Sequence, residues 1–267
     1  MTAISVIVRT QDSAATLEAC LASIRRQTIP AEIVVVDAGS RDGTLTLAER
    51  LADRIERLAP GTYTPGLALN TGAAAAAAPA HAAVSSHCVL PREDWLAVAA
   101  ELVGRERVAA ANGNTVRPDG RPLAGTYLQS RADMRANPFY GLSNHASAWR
   151  AEVWRARAFD ETLPTVEDKH WAQWVLDQGW AIAFDPRLAV AMTHRWRRGA
   201  ATYYRREREE IRVLGSFEQL PPYGLREAIA DWWRPPDDRH PALVHRLNPR
   251  RAAGIAGHYA GRRQTAR

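Results

Sequence analysis

The sequence predicts an α/β protein with a Rossmann-like, mostly parallel central sheet flanked by helices, followed by a helical C-terminal extension. Three observations carry this: short β-branched runs alternate with helix-period segments through about the first 112 residues, a turn-rich loop closes the second run, and the pattern becomes helical and basic toward the C-terminus. At 267 residues and 46% apolar composition the chain is long enough to bury a large core.

Residues 4–8 form a β-branched run, residues 14–26 place Leu17, Cys20, Leu21 and Ile24 at helical spacing, and residues 33–36 form a second run. This is a β-α-β unit. The second run ends in Asp37-Ala-Gly-Ser-Arg-Asp-Gly43, a loop of turn formers, and a helix is expected over 44–52. In such sheets ligands bind outside the carboxyl ends of the strands, where Asp37 stands. A third strand is expected at 54–58, a helix at 68–78, a fourth strand at 82–86, a helix at 94–103 and a strand at 108–111. Residues 113–144 read as a long loop with Pro118, Gly120, Pro122, Gly125 and Pro138, a place for an acceptor-binding excursion. A helix is expected at 148–156, another at 167–178 with Gly179 as its C-cap, and a strand at 181–184. A boundary near 192–199 divides an N-terminal domain over 1–199 (donor half about 1–112, acceptor half about 113–199) from a basic helical region over 200–267.

Charge follows that boundary. There are 19 basic and 21 acidic residues up to His194, and 16 and 8 after it. A basic C-terminal region suits anionic lipid headgroups or substrate phosphate. Nucleic acid is not expected as a partner, because no zinc-finger spacing or aromatic RNA-binding signature accompanies the charge. Of the 35 basic residues only Lys169 is lysine, which reads as coding bias. The chain opens straight into its first strand and has no long apolar run, and its two cysteines, Cys20 and Cys88, suit a reducing compartment. The expectation is a cytoplasmic protein, with peripheral contact at the inner face of the membrane through the basic region left open.

Several blocks carry chemistry. Ser5-Val-Ile-Val-Arg-Thr-Gln-Asp12, Ile33-Val-Val-Val-Asp-Ala-Gly-Ser-Arg-Asp-Gly-Thr44, Pro65-Gly-Leu-Ala-Leu-Asn-Thr-Gly72, Gly141-Leu-Ser-Asn-His-Ala-Ser-Ala-Trp-Arg150, Phe159-Asp-Glu161 and Glu167-Asp-Lys-His-Trp171 occur in that order. Over roughly residues 4–200 this series resembles family 2 of the glycosyltransferases, which share the GT-A fold, and especially its rhamnosyltransferase-like members. The resemblance implies an inverting glycosyltransferase that moves a sugar from a nucleoside-diphosphate donor to an acceptor hydroxyl on a polysaccharide, a lipid-linked carrier or a small glycoside. It implies donor contacts at Thr10, Asp12, Asp37, Asn70 and His87, acceptor contacts at Asn144, His145 and Trp171, and Asp168 and Glu167 as the catalytic residues, with Asp168 the base.

Each position also has a structural reading. A carboxylate at a strand end, such as Asp37, can accept a hydrogen bond from a nucleobase or ribose, or it can cap the turn that follows. An acidic pair opening a helix can deprotonate an acceptor, or simply complement the helix N-terminus. The chain departs from the family pattern where a DXD-type metal-binding motif is expected. Pro91 and Trp95-Leu96 keep the frame, but His87-Cys88 fill the acidic position, and Leu69 stands where an arginine often precedes Asn70. A thiol serves Mg²⁺ or Mn²⁺ poorly. Three alternatives stay open: catalysis without metal, with the cluster His194-Arg-Trp-Arg-Arg198 supplying positive charge; a divalent ion held by His87, Cys88 or His194 with donor phosphate; or a non-catalytic, transferase-derived sugar-binding or scaffold protein. A nucleotidylyltransferase is disfavoured, because residues 9–15 contain no glycine for a phosphate loop.

Overall fold

The computed structural model describes residues 3–192, 199–233 and 249–265. The chain divides into two compact units, residues 1–194 and 195–267.

The first unit opens with β1 (Ile4–Thr10), α1 (Ala14–Arg25), β2 (Ala31–Asp37), α2 (Thr44–Leu51) and β3 (Arg54–Arg57). It continues with α3 (Pro65–Ala75), β4 (Ala80–Ser85), β5 (Cys88–Val89), α4 (Trp95–Gly104) and β6 (Val108–Asn112). β7 (Tyr127–Gln129), α5 (Arg131–Ala136), β8 (Ala146–Arg150), α6 (Ala151–Ala156), α7 (Glu167–Asp177), β9 (Ala181–Phe184) and β10 (Ala191–Met192) complete it. Eight strands form one sheet in the order β3-β2-β1-β4-β8-β6-β9-β7, parallel except for β8 and β7. Strand alternation assigns the two faces. Ile4, Val6, Val8, Ile33 and Val35 point into a core with α1 and α4, while Ile7 and Val36 point into a second core with Leu69, Trp149, Trp171 and Phe184. A buried parallel sheet reads as continuous apolar runs for this reason. On the second face α3 lies hard against the sheet, because a Cβ at Gly72 would stand 2.4 Å from Ile7 Cγ2.

Three expectations are corrected. The segment predicted as a helix over 148–156 begins as β8, and only Ala151–Ala156 is helical. The predicted loop over 113–144 contains β7 and α5, the latter opened by a capping box between Ser130 and Asp133. The helix predicted from residue 68 starts at Pro65, with Thr64 as N-cap accepting from Leu67 N. Gly179 is at φ 75°, the left-handed conformation that a glycine stop to α7 supplies.

The second unit contains α8 (Ala200–Phe217), α9 (Leu225–Trp233) and α10 (Pro249–Thr265). α10 packs closely on α8 through Gly257 and Gly261, where a Cβ would meet the carbonyl oxygens of Tyr204 and Arg208 at 2.5 and 2.6 Å.

At the far side of the sheet Asp185 joins β9 to the segment before β7. It accepts from Thr126 Oγ1 (2.7 Å) and from Arg187 N, Nε and Nη2 (2.9, 3.0 and 2.9 Å). Burial alone would raise its pKa, but these donors outweigh it and hold the carboxyl down at about 2. The folded pKa lies below the unfolded value, so the stabilisation is complete above the unfolded pKa and is lost as pH falls through the folded one. Asp185→Asn is expected to cost about 1–3 kcal/mol at neutral pH. In urea titrations the gap from wild type should narrow as pH drops from about 4 toward 2; a gap that stays constant with pH would refute the assignment.

Candidate functional site

The sheet order places a topological switch point at β1, with β2 on one side and β4 on the other, and ligand crevices form at the carboxyl ends of such strands. Arg9, Thr10, Asp37, Ser85 and Ser86 end or follow these strands. Because β8 runs antiparallel beside β4, with Val84 opposite Ala146, the loop before β8 arrives at the same edge. That loop carries Asn144 and His145, and the N-terminus of α7 meets it there.

Asn144 joins the parts. It is almost fully buried. Its N–H donates to Asp168 Oδ2 (3.0 Å), its carbonyl accepts from Arg9 Nη2 (2.7 Å), its Nδ2 donates to Glu167 Oε1 (3.3 Å) and its Oδ1 accepts from Ser147 Oγ (2.7 Å). Asn144 was expected to bind the acceptor; with its polar groups engaged inside the protein it instead fixes the residues around it.

The acidic pair has two environments. Glu167 is 4% exposed, and its Oε1 lies 3.7 Å from Arg9 Nη1. Burial, and after it the Asp168 charge, pushes the Glu167 carboxyl up to about 7, against the pull of Arg9 and the Asn144 hydrogen bond. Asp168 is only half-buried, and its Oδ1 accepts from Lys169 N (2.8 Å). Of the two carboxylates it is the one open to a substrate. The pair is aimed by an unusual residue: Val166, the N-cap of α7, sits at φ 55°, ψ 25°. For a β-branched side chain this left-handed conformation costs on the order of 1–2 kcal/mol.

On the β2 side the turn residues lace two loops together. Asp37 is buried and accepts from Gly39 N and Ser40 N (3.0 Å each) and from Ser40 Oγ. Asp12, at φ 46°, accepts from Arg41 N (2.8 Å) and donates its own N–H to Ser40 Oγ (2.9 Å). Asp37 thus caps its turn while holding the strand-end position expected of a nucleotide contact. Thr10 is buried, and its Oγ1 has no hydrogen-bond partner among the described residues.

Other expected contacts lie elsewhere. Asn70 donates to the Phe159 carbonyl (2.8 Å) and Glu161 Oε1 (2.9 Å), and accepts from Trp154 Nε1 (2.9 Å) and Phe159 N (3.1 Å). These bonds make it a clamp between α3 and the Phe-Asp-Glu turn. Trp171 is 1% exposed, packs on Phe159 and donates its indole N–H to the Arg157 carbonyl (2.7 Å), which makes it a core residue rather than an acceptor platform. His87 and His145 are neighbours at the edge, their rings 6.0 Å apart, with His145 Nδ1 bonded to Ser143 Oγ.

Cys88 does not fit a metal site. It is fully buried in the core on β5, opposite Met192 of β10, so its side chain is withdrawn from the edge. His194 and the arginines that follow it lie outside the described residues. Among the described residues no group of three or more His, Cys, Asp or Glu could hold a metal ion.

Arg9 was overlooked in the sequence. Its signal was a charge one residue from the end of a strand otherwise made of buried residues.

A mostly parallel sheet flanked by helices, with the loop before an antiparallel strand meeting an acidic helix start at its carboxyl edge, is the architecture of the GT-A fold. The family model for glycosyl transferase family 2 matches residues 5–182, and the chain belongs to that family. It is 27% identical over 198 residues to the glycosyltransferase AglE of Haloferax volcanii, covering 68% of this chain and 64% of that protein, so the chain spans less than two thirds of this relative. Among solved structures it resembles the mannosyltransferase PcManGT from Pyrobaculum calidifontis in complex with GDP-Man and Mn²⁺ (TM-score 0.64, 21% identity, 98% of this chain and 72% of that one). It also resembles S. aureus TarS 1-349 in complex with UDP-GlcNAc (TM-score 0.60, 21% identity, 93% and 72%).

The clamp assignment is checked by Asn70→Ala. The variant should lose about 2–3 kcal/mol of stability, because the Trp154 and Phe159 groups are left without their partner, and should bind nucleoside diphosphate as wild type does. Weakened nucleotide binding at unchanged stability would restore Asn70 to the donor site.

Proposed function

We propose that the chain is an inverting transferase of hexosyl type whose motifs resemble those of the rhamnosyltransferase-like members. It passes a sugar from a nucleoside-diphosphate donor to a hydroxyl of a polysaccharide, lipid-linked or small glycoside acceptor. The observation that carries this is Asp168: a half-buried carboxylate oriented by the Asn144 and Lys169 N–H groups at the edge where β1 and β2 end. In a single displacement Asp168 takes the acceptor proton as the acceptor oxygen bonds to the anomeric carbon. The bond from that carbon to the diphosphate oxygen breaks, its electron pair leaves with the nucleoside diphosphate, and configuration inverts. Thr10, Asp12 and Asp37 are assigned to the donor, with His87 near the diphosphate and His145 toward the acceptor.

PcManGT is named with Mn²⁺, which keeps a divalent ion in view for this family. Among the described residues no three or more metal-ligating side chains gather, and no step is routed through an ion. The second reading, a transferase-derived binding protein, is favoured by one observation: Cys88 is in the core where a metal-binding carboxylate was expected. Asp168→Asn separates the two. Transfer should fall by about 10²–10⁴-fold while calorimetric binding of UDP, GDP or dTDP is retained. Near-normal turnover in the variant would remove Asp168 as base, and wild-type protein that neither binds nucleotide nor consumes any donor, with or without EDTA or added Mn²⁺, would favour the scaffold.

The basic second unit is assigned to peripheral membrane contact. Among the described residues no helix is long and apolar enough to cross a membrane. However, Leu225, Ile229 and Trp233 recur every fourth residue along α9 and are 66%, 50% and 59% exposed, with Arg226 exposed beside them. An apolar helical stripe on a strongly basic unit suits the interface of an anionic bilayer. The protein should float with vesicles containing phosphatidylglycerol and not with pure phosphatidylcholine, and changing all three stripe residues to Ser should release it. Equal flotation of the triple variant, or a stripe that instead mediates dimerisation in sedimentation, would overturn this assignment.

A further inference from the structure

Arg9 joins segments that are 135 residues apart in the chain, from the donor-side strand to the acceptor-side loop. Its side chain is 12% exposed, and its guanidinium contacts two acceptors: the Asn144 carbonyl at 2.7 Å and Glu167 Oε1 at 3.7 Å. The groups facing Glu167 are Asp168 on its own helix, Arg9 from β1 and the Asn144 amide from the loop before β8. Of these only Arg9 is a cation.

We propose that Arg9 is a positioning residue for transfer: by clamping the Asn144 carbonyl and the Glu167 carboxylate together, it fixes the Asn144 N–H that orients the Asp168 carboxylate. This rests on the reading of Asp168 as the base. Glu167 takes no proton from substrate. It accepts from the Asn144 side chain, and it can do so as an unprotonated acceptor only while a cation offsets its burial and the adjacent Asp168 charge. Once protonated, Glu167 no longer attracts the guanidinium, and the tie that Arg9 makes between the Asn144 carbonyl and α7 is weakened.

The sign of the pH dependence follows. Glu167 must be ionised for the clamp to hold, so kcat should fall as pH drops through its titration near neutrality. Arg9 opposes the upward push on Glu167, so removing it moves that limb to higher pH.

The experiment pairs kinetics with a titration that does not depend on activity. In donor-free protein carrying ¹³Cδ-glutamate, with the signal assigned by Glu167→Gln, the Glu167 carboxyl of Arg9→Met should titrate about one to three pH units higher than in wild type. In the same variant the loss of kcat should be greatest at neutral pH and partly recovered at alkaline pH, with donor KM unchanged. Arg9→Lys, which keeps a cation but not the two-pronged reach, should fall between the two, and it carries the comparison should Arg9→Met fail to fold. An unmoved Glu167 titration, or a kcat loss of the same size at every pH in both variants, overturns the proposal. If the base assignment itself is wrong, Asp168→Asn stays active while the Glu167 titration still shifts in Arg9→Met, so the two failures are distinguishable.

Discussion

The site depends on one buried asparagine whose backbone and side chain are both engaged. Asn144 ties β1 through Arg9, α7 through Glu167 and Asp168, and β8 through Ser147. An unpaired polar group at such depth costs on the order of 1–3 kcal/mol, so the four contacts act together. Asp168, the proposed base, is held by a backbone N–H, a group that cannot rotate away as a side chain can. A carboxylate on a helix end gains its geometry from the sheet in this way.

That geometry is possible because β8 runs against its neighbours. A parallel strand in the same slot would deliver the preceding loop to the opposite edge, away from the ends of β1 and β2. The antiparallel insertion brings residues 141–145 to the donor edge, and the strained Val166 conformation then turns the start of α7 toward them. Strain of this kind persists only where the surroundings over-determine it. Here the buried Val166 side chain and the His170 N–H bonded to its carbonyl hold it in place.

What was readable in the sequence and what was not divides along physical lines. The apolar runs of β1 and β2, the Asp37 turn and the Gly179 stop follow local chemistry, and the parallel α/β sheet followed from them, while the GT-A fold came from the resemblance of the motif blocks to glycosyltransferase family 2. β8 was hidden because Ala146-Ser-Ala-Trp149 lacks β-branched residues. Its strand state comes from pairing with β4 and β6, a tertiary effect that overrides propensity. α5 did carry a local signal, Ser130 followed by Asp133, inside a stretch dominated by prolines and glycines. The buried partners of Asn70 and Trp171 were not legible for a different reason. A polar or aromatic residue in a family motif looks the same in sequence whether it faces a ligand or satisfies a buried neighbour, and only its hydrogen-bond partners distinguish the two.

Cys88 bears on the same balance of charge. It sits in the core close to Cys20, where burial and then the neighbouring Cys88 push the Cys20 thiol pKa up, so this pocket is neutral and apolar in character. An ionised carboxylate at position 88 would need a cation beside it to be tolerated at such burial. The chain instead fills the position with a small hydrophobe, and its buried ionic cluster lies across the edge at Arg9, Glu167 and Asp168. There Arg9 pairs with Glu167, and Asp168 lies beside Glu167 on the same helix start. The Cys88 position adds no further buried carboxylate to this edge. The cysteine that stands where a metal-binding carboxylate was expected therefore leaves the surroundings of Asp168, the proposed base, without another buried charge.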